Sequence, residues 1–305
     1  MRAALLREVD GPFELADLPD PAGSGSGSAL VRVRAAGINF ADVLIRRGRY
    51  PQMPELPIVL GSEIAGELED GTRVMAITPG SGGYAELAAV DRAQVVPLPE
   101  GASFAEGASF LLTFLTAYVP LTRQVRLRPG ATVLVHAAAG GVGTAAVQVA
   151  RALDARVVAA VGSPAKLDLC RELGAAEAYV YDEIPDDLRA EVVVDPVGGE
   201  LFERAIGRLR PLGNLVAIGF AAGMWPELSP AGLVGRNVGI QGFYLGRLLR
   251  HEPDVVGEAV GELLELWQGG ALRPVVGAEI PLAEVDRAHE LVESRRSVGK
   301  VVLVP

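Results

Sequence analysis

Cysteine is almost missing from this chain: the 305 residues contain one, Cys170. A single thiol cannot close an internal disulfide, and it cannot furnish a zinc site built from several cysteines. Histidine is nearly as scarce, and His136, His251 and His289 are scattered without metal-ligand spacing. There is no excess of positive charge. The net charge is −10, which argues against nucleic acid as the main partner, because phosphate binding needs a positive field. No apolar run reaches the roughly 18 residues of a spanning helix. The start, Met1-Arg-Ala-Ala-Leu-Leu-Arg7-Glu8, is too short and too soon charged for a signal peptide. These absences lead to the expectation of a cytoplasmic protein with no membrane contact.

What is present is ordinary for a globular protein: half the residues are hydrophobic and 22% are charged, enough for a sizeable core and, at this length, two domains. Residues 1 to about 115 read as short strands broken by Gly and Pro, among them Leu30-Val-Arg-Val-Arg34, Pro57-Ile-Val-Leu60, Arg73-Val-Met-Ala-Ile77 and Tyr84-Ala-Glu-Leu-Ala88. That pattern suggests an antiparallel, barrel-like unit. Ala22-Gly-Ser-Gly-Ser-Gly-Ser28 is low-complexity and reads as a flexible surface loop. From about 117 to 247 strands alternate with helices: Thr132-Val-Leu-Val-His136, Arg156-Val-Val-Ala-Ala-Val161, Ala178-Tyr-Val180, Glu191-Val-Val-Val-Asp195, Asn214-Leu-Val-Ala-Ile-Gly219 and Val238-Gly-Ile-Gln241. Six strands with intervening helices predict a doubly wound parallel sheet. A helix is expected over 164–173, with Ser163 as N-cap, Pro164 at N1 and Gly174 past its end. Residues 253–267 and 281–292 read as helices and Gly299-Lys-Val-Val-Leu-Val304 as a strand, pieces expected to return to the first domain.

The first of the six strands feeds directly into Ala138-Ala139-Gly140-Gly141-Val142-Gly143. In a dinucleotide fingerprint, positions one, three and six are usually Gly; here they are Ala138, Gly140 and Gly143. The middle glycine lets a pyrophosphate approach the backbone, and the last lets the helix pack on the strand. The helix that follows offers free N–H groups and the positive end of its dipole. A tight structural turn is the plain alternative. The second strand then bears on the cofactor. An NAD site places Asp or Glu at its end for the ribose 2′-OH, but this strand ends Ala159-Ala160-Val161-Gly162-Ser163, and Asp154 lies at its other end. The hydroxyl of Ser163 and the cation of Lys166 suit a 2′-phosphate, so NADPH is the expected cofactor; Lys166 also reads as a solvated helix residue.

With these stretches in view, the chain resembles the medium-chain dehydrogenase/reductase superfamily, in its zinc-free quinone oxidoreductase (zeta-crystallin-like) branch. The resemblance runs along nearly the whole chain, through Ala35-Ala-Gly-Ile-Asn39-Phe-Ala-Asp42, Gly61-Ser-Glu-Ile-Ala-Gly66, Val135-His-Ala-Ala-Ala-Gly-Gly-Val-Gly-Thr144, Asp195-Pro-Val-Gly-Gly199 and Gly299-Lys-Val-Val-Leu303. It implies a GroES-like β-rich catalytic domain from residues 1–116 and 248–305, a Rossmann NADPH-binding domain from 117–247, and an active site in the cleft between them. It also implies that Ser163, Lys166 and Tyr181 contact the 2′-phosphate, that Gly219, Phe220 and Phe243 (with Gly246) pass the nicotinamide, and that Thr116 touches the cofactor beside residues Ala139, Gly140, Gly141, Val142 and Gly143. Zinc members carry Cys where this chain has Asn39 and His where it has Ser62; Glu63 alone cannot hold the metal, so no metal is expected. The stretch between Gly66 and Arg73 and the segment Pro79-Gly-Ser-Gly-Gly83 are shorter than the family usually has.

Without a metal to polarise oxygen, the expected acceptor is one that delocalises its own charge. The implied function is NADPH:quinone reduction by hydride transfer; the alternatives are an NADPH-dependent enone or enal reductase and an NADPH-binding structural or regulatory protein with little turnover. Asn39 is the candidate donor to an acceptor oxygen, or else only a helix cap. Tyr50 is the candidate donor of a hydrogen bond or proton, or else loop packing. Asp42 positions the cofactor indirectly, or is a first-turn helix acid. Arg46, Arg47 and Arg49 form a basic cluster, read mainly as solvated surface, and His136 is read as structural. A homodimer is expected, pairing through the segment Val238-Gly-Ile-Gln-Gly-Phe-Tyr244.

Overall fold

The protein is described by a computed structural model, which covers residues 1–21, 27–78 and 80–305. Most of the low-complexity stretch beginning at Ala22, expected as a flexible loop, lies outside the described residues, as does Pro79 of the compact segment that follows Thr78. The chain forms two compact units, Thr113–Arg273 and Met1–Leu112 with Pro274–Pro305.

The unit Thr113–Arg273 is built on a six-stranded sheet ordered Glu177–Val180, Arg156–Val161, Thr132–Val135, Ala190–Asp195, Leu209–Ala217, Gly239–Gly242, with every neighbouring pair parallel. The central strands are near-continuous runs of Val and Ala buried on both faces, as a sheet covered by helices on each side requires. The order reverses between Thr132–Val135 and Ala190–Asp195, the place where doubly wound folds bind ligands at the carboxyl ends of the strands. The helix Gly141–Ala152 buries Ala145, Ala146, Val147, Val149 and Ala150; small residues on that face let it lie close to the strands. The helix expected over 164–173 is shorter. Pro164–Lys166 form a tighter turn in which the Lys166 N–H bonds back to the Ser163 carbonyl at 3.1 Å, and the α-helix proper is Leu167–Glu172. The Ser163 side chain makes no cap hydrogen bond there. Gly174 does end the helix, at φ +103°.

The chain leaves this unit later than the expected 247/248. The helix Pro253–Gln268 stays with it, held by an ion pair between Arg123 and Glu262 at 2.7 Å. Gln148, on the helix that follows the glycine turn, exchanges two hydrogen bonds with the Arg273 backbone at 2.8 and 2.9 Å. Periodicity shows that 253–268 is amphipathic but not which sheet its apolar face covers.

The other unit is mostly antiparallel. Its larger sheet runs Val276–Pro281, Lys300–Val304, Ser28–Gly37, Glu63–Glu67, Arg73–Ile77, Val95–Pro97, with Leu87–Asp91 paired along the first half of Ser28–Gly37. A three-stranded sheet joins Phe13–Asp17, Arg2–Leu6 and Ile58–Val59. Ser28–Gly37 alternates buried and exposed through its first seven residues and is then wholly buried over Ala35, Ala36 and Gly37. The strand expected at 84–88 begins at Leu87 instead, because Tyr84 is bonded to the Leu60 carbonyl and Ala85 forms only a single bridge to Ala3. The helical stretch Phe104–Gln124 is 21 residues long, and an 18-residue window of it reaches a mean hydropathy of 1.3, long and apolar enough by composition to cross a membrane; 83% of that window is buried inside the protein, as in a core helix.

His289 is packed in the core of this second unit, fully buried, with its ring centroid 4.7 Å from that of Phe13 and 5.8 Å from that of Tyr84. Neither ring nitrogen has a hydrogen-bond partner among the described residues. Burial, with Arg46 and Arg47 nearby, holds its pKa down at about 3, against an ordinary value of 6.5. A group with a depressed folded pKa of this kind binds protons more readily when unfolded, so stability is lost as pH falls below the unfolded value, by up to about 1.4 kcal/mol per pH unit. We therefore expect the melting temperature to fall between pH 7 and pH 5 by more in the wild type than in His289→Leu. Parallel curves for the two proteins would show that His289 does not carry this dependence.

Candidate functional site

The turn between Thr132–Val135 and the helix Gly141–Ala152 has the geometry that its sequence suggested. Ala137 takes φ +47°, the Gly140 N–H bonds to the Ala137 carbonyl at 2.8 Å, and Ala138 N–H reaches the Ala160 carbonyl of the adjacent strand at 3.1 Å. The helix starts at Gly141, so the N–H groups of Gly141, Val142 and Gly143 lack intrahelical acceptors. Together with the helix dipole they form an anion site. The two fingerprint glycines are glycine for different reasons. A Cβ on Gly143 would stand 2.0 Å from the Ala137 carbonyl oxygen, so the fold itself forbids a side chain there. A Cβ on Gly140 would stand 3.2 Å from the same oxygen, a tight contact that a shift of a few tenths of an ångström relieves, and its backbone, φ −83° and ψ 177°, suits any residue.

The end of the second strand lies beside this turn. Tyr181 accepts a hydrogen bond from the Ala137 N–H at 3.0 Å through its phenol oxygen, and its ring edge faces Gly162. Ser163 and Lys166 follow Gly162 directly, both half-buried. Burial pulls the Lys166 ammonium below its ordinary pKa, and Cys170 opposes that shift slightly. Thus the structure gathers Ser163, Lys166, Tyr181 and residues 139–143 at one end of the sheet. Gly219 and Phe220 continue from the end of Leu209–Ala217, where the Ile218 N–H bonds to the Asp195 carbonyl at 3.0 Å and the Phe220 ring stacks obliquely on Trp225. Phe243 follows Gly239–Gly242 and is buried, its N–H on the Ala217 carbonyl. All of these sit at carboxyl ends of parallel strands. Thr116 is buried on the separate helix Leu111–Val119. His136 is tied to Asp195 through Nδ1 at 3.0 Å, and Asp195 also accepts the N–H groups of Val197 and Gly198. That network pins the strand ends across the switch point, so His136 is structural.

Asn39, Asp42 and Tyr50 belong to the other unit. Asn39 immediately precedes the helix Phe40–Arg46 and is nearly buried, and its N–H donates to Asp42 Oδ2 at 2.8 Å. Asp42 is fully buried and also accepts from the Tyr84 hydroxyl at 2.9 Å. It is a first-turn helix acid whose carboxyl holds the Asn39 backbone. Burial pushes the Asp42 carboxyl up from its ordinary range, and the same burial, reinforced by Asp42, pushes the Tyr84 phenol far up. Tyr50 is half-buried and packs against this unit's core. Of the basic cluster, Arg46 is buried, lies over the Phe13 ring and pairs with Asp286, and Arg47 pairs with Asp10 and Glu293; neither is merely solvated surface.

Lys300 was missed in the sequence, and Glu63 was weighed there only as a metal ligand. Lys300, at the start of an otherwise apolar strand, is 4% exposed, and its Nζ lies 2.8 Å from Asn39 Oδ1, 3.0 Å from the Ile38 carbonyl and 3.0 Å from Glu63 Oε2. Glu63 is fully buried and takes the Leu112 N–H on its other oxygen at 2.9 Å. Burial drives the Glu63 carboxyl up while Lys300 opposes it. A charge set in the run Lys300-Val-Val-Leu-Val304 was the available signal. Where a metal would need anionic ligands, Asn39 and Glu63 both face an ammonium, which repels a cation. Among the described residues no group of three or more His, Cys, Asp or Glu side chains could hold one.

Two family models match the chain: a GroES-like domain of alcohol dehydrogenases over residues 25–100 and a zinc-binding dehydrogenase domain over 141–263. A quinone oxidoreductase from Pseudomonas aeruginosa is 36% identical over 93% of each chain. The chain belongs to the medium-chain dehydrogenase/reductase superfamily, in its quinone oxidoreductase-like branch. A quinone oxidoreductase-like protein 2 homolog from Nematostella vectensis is 32% identical, covering 99% of this chain and 88% of its own. Among solved structures, the quinone oxidoreductase from Thermus thermophilus, determined with and without NADPH, superposes with a TM-score of 0.93 at 44% identity over the whole of both chains. The two units are accordingly the GroES-like and Rossmann folds of that superfamily.

The contrast between the two glycines is testable by thermal melting. Gly143→Ala should cost roughly 2 kcal/mol or more, because backbone must move to admit the Cβ. Gly140→Ala should stay within about 1 kcal/mol of wild type. Equal losses would mean that the turn tolerates or rejects both for the same reason.

Proposed function

We propose that this chain reduces quinones with NADPH and does so without zinc. The observation that carries the reading is the acid-free end of the second strand, where Ser163, Lys166 and Tyr181 stand beside the glycine turn. A carboxylate there would repel a 2′-phosphate; a hydroxyl and a cation favour it. The residues present fit the cofactor. Residues 139–143 would hold the pyrophosphate on the helix N-terminus. Ser163, Lys166 and Tyr181 would take the 2′-phosphate, Gly219, Phe220 and Phe243 would pass the nicotinamide, and Thr116 would touch the cofactor. The relatives support this, since the Thermus thermophilus and Pseudomonas aeruginosa proteins are quinone oxidoreductases and the former was solved with NADPH.

When bound, NADPH supplies a hydride, which with one proton converts a quinone to its hydroquinone. The rest falls to the chain. Asn39 donates from its amide to the acceptor oxygen as negative charge builds there, an uncharged donor where zinc members use a Lewis acid. A quinone spreads that charge over its own ring and needs no more. Asp42 acts only by holding the Asn39 backbone, and Tyr50 is the candidate proton donor. The same reading carries a cytoplasmic homodimer: Gly239–Gly242 is one of the two edge strands of the six-stranded sheet, and nearby Val234 and Tyr244 are exposed.

NADPH absorbance should fall in the presence of ortho- or para-quinones at a rate indifferent to a chelator. Activity that vanished with chelation would overturn the zinc-free reading, and faster turnover of enals than of quinones would reassign the substrate. Lys166→Ala should weaken NADPH binding about tenfold or more, as loss of one charge-assisted hydrogen bond does, and leave NADH binding nearly unchanged. Equal loss for both nucleotides would remove the 2′-phosphate role.

A further inference from the structure

The orientation of the Asn39 amide is set by one buried side chain. Lys300 enters from the strand Lys300–Val304, its backbone N–H bonded to the Val275 carbonyl at 2.8 Å. Its ammonium has three hydrogens and no lone pair; it donates to the Ile38 carbonyl and Asn39 Oδ1, and it forms an ion pair with Glu63 Oε2 at 3.0 Å that lacks hydrogen-bond geometry. An amide can present either its oxygen or its NH2 to a neighbour, and the neighbour's chemistry decides which. Opposite an ammonium, only the oxygen is tolerated. Asn39 Nδ2 is the arm not facing the ammonium; it makes a long contact of 3.5 Å to the Gly37 carbonyl, and the Asn39 side chain also helps to favour the charged form of Glu63. The Asn39 backbone is held separately, by Asp42 and through it Tyr84. Main-chain position and amide orientation thus have independent supports.

We infer that Lys300, held by Glu63, is a positioning residue that makes Asn39 present its NH2, and not its oxygen, to the acceptor. This rests on the proposed role of Asn39 as donor. An amide oxygen turned toward an acceptor oxygen would repel the charge that the reaction develops; the NH2 attracts it. Glu63 supplies the counter-charge that lets an ammonium stay buried, and its own second oxygen is occupied by the Leu112 N–H, which holds the carboxylate in place.

The pair is best removed together, since Lys300→Met alone would strand the Glu63 carboxylate. In Lys300→Met/Glu63→Gln the amide loses its orienting cation with no orphaned charge. Three proteins decide the matter with a quinone acceptor: Asn39→Ala, the double variant, and the triple combination. Asn39→Ala should lower kcat about a hundredfold, the usual loss for one oxyanion donor. The double variant should lose about tenfold or more of kcat with NADPH affinity unchanged, and the triple should match Asn39→Ala within about twofold, because groups that act through one another are not additive. The chain has three asparagines, Asn39, Asn214 and Asn237, so selective 15N labelling reads the Asn39 side-chain amide directly. Its NH2 signals should shift or broaden in the double variant while those of Asn214 and Asn237 stay in place. Additive losses, wild-type kcat in the double variant, or an unmoved Asn39 amide would overturn the inference and leave Asn39 as donor. Wild-type kcat in Asn39→Ala would remove the donor reading itself, and the inference with it.

Discussion

A lysine ammonium buried to 4% exposure persists only where oxygens replace the water it has lost. In this chain that demand ties four pieces of the GroES-like unit together. Lys300 comes from the last strand, Ile38 and Asn39 from the end of Ser28–Gly37, and Glu63 from the start of Glu63–Glu67. The Leu112 N–H then fixes Glu63 from the long apolar helical stretch. Removing one partner of such a pair typically costs about 3–5 kcal/mol, because the other charge is left unpaired. The pair is thus as much a constraint on where Asn39 can be as a source of stability. Asp42, which accepts from the Tyr84 hydroxyl, seats the same residue by its backbone N–H.

The Rossmann unit is governed by a different constraint, the closeness of backbone to backbone at its glycine turn. Gly143 lets the helix start almost in contact with the Ala137 carbonyl. That contact points the free N–H groups of the first helical turn outward at the carboxyl ends of the strands. His136, Asp195 and the N–H groups of Val197 and Gly198 brace the strand ends on either side of the switch point. A buried histidine with both a strand and a carboxylate to hold it is architecture. Tyr181 links the turn to the third strand of the sheet, which explains how a residue 44 positions downstream of Ala137 comes to border the same site.

The helix Pro253–Gln268 shows where pattern reading stops. Its apolar stripe was legible, but the side chains that decide its partner, Arg123 opposite Glu262 and Gln148 opposite the Arg273 backbone, are polar and distant in sequence. The same holds for Arg46 and Arg47, whose charges suggested solvent until Asp286, Glu293 and Asp10 were seen around them.

Local chemistry alone carried the strand–turn–helix of residues 132–153, the acid-free end at Val161-Gly162-Ser163 and the replacement of zinc ligands by Asn39 and Ser62. Each of these depends on residues adjacent in the chain, where backbone geometry follows directly from side-chain type. Tertiary structure decided the rest: that Asp42 faces inward, that His289 is held neutral in an apolar core, and that Lys300 meets Asn39 across 261 residues. A sequence states which groups carry charge or hydrogens. Only the fold sets which ones lose their water together, and that shared desolvation is what sets the Asn39 amide oxygen against the Lys300 ammonium.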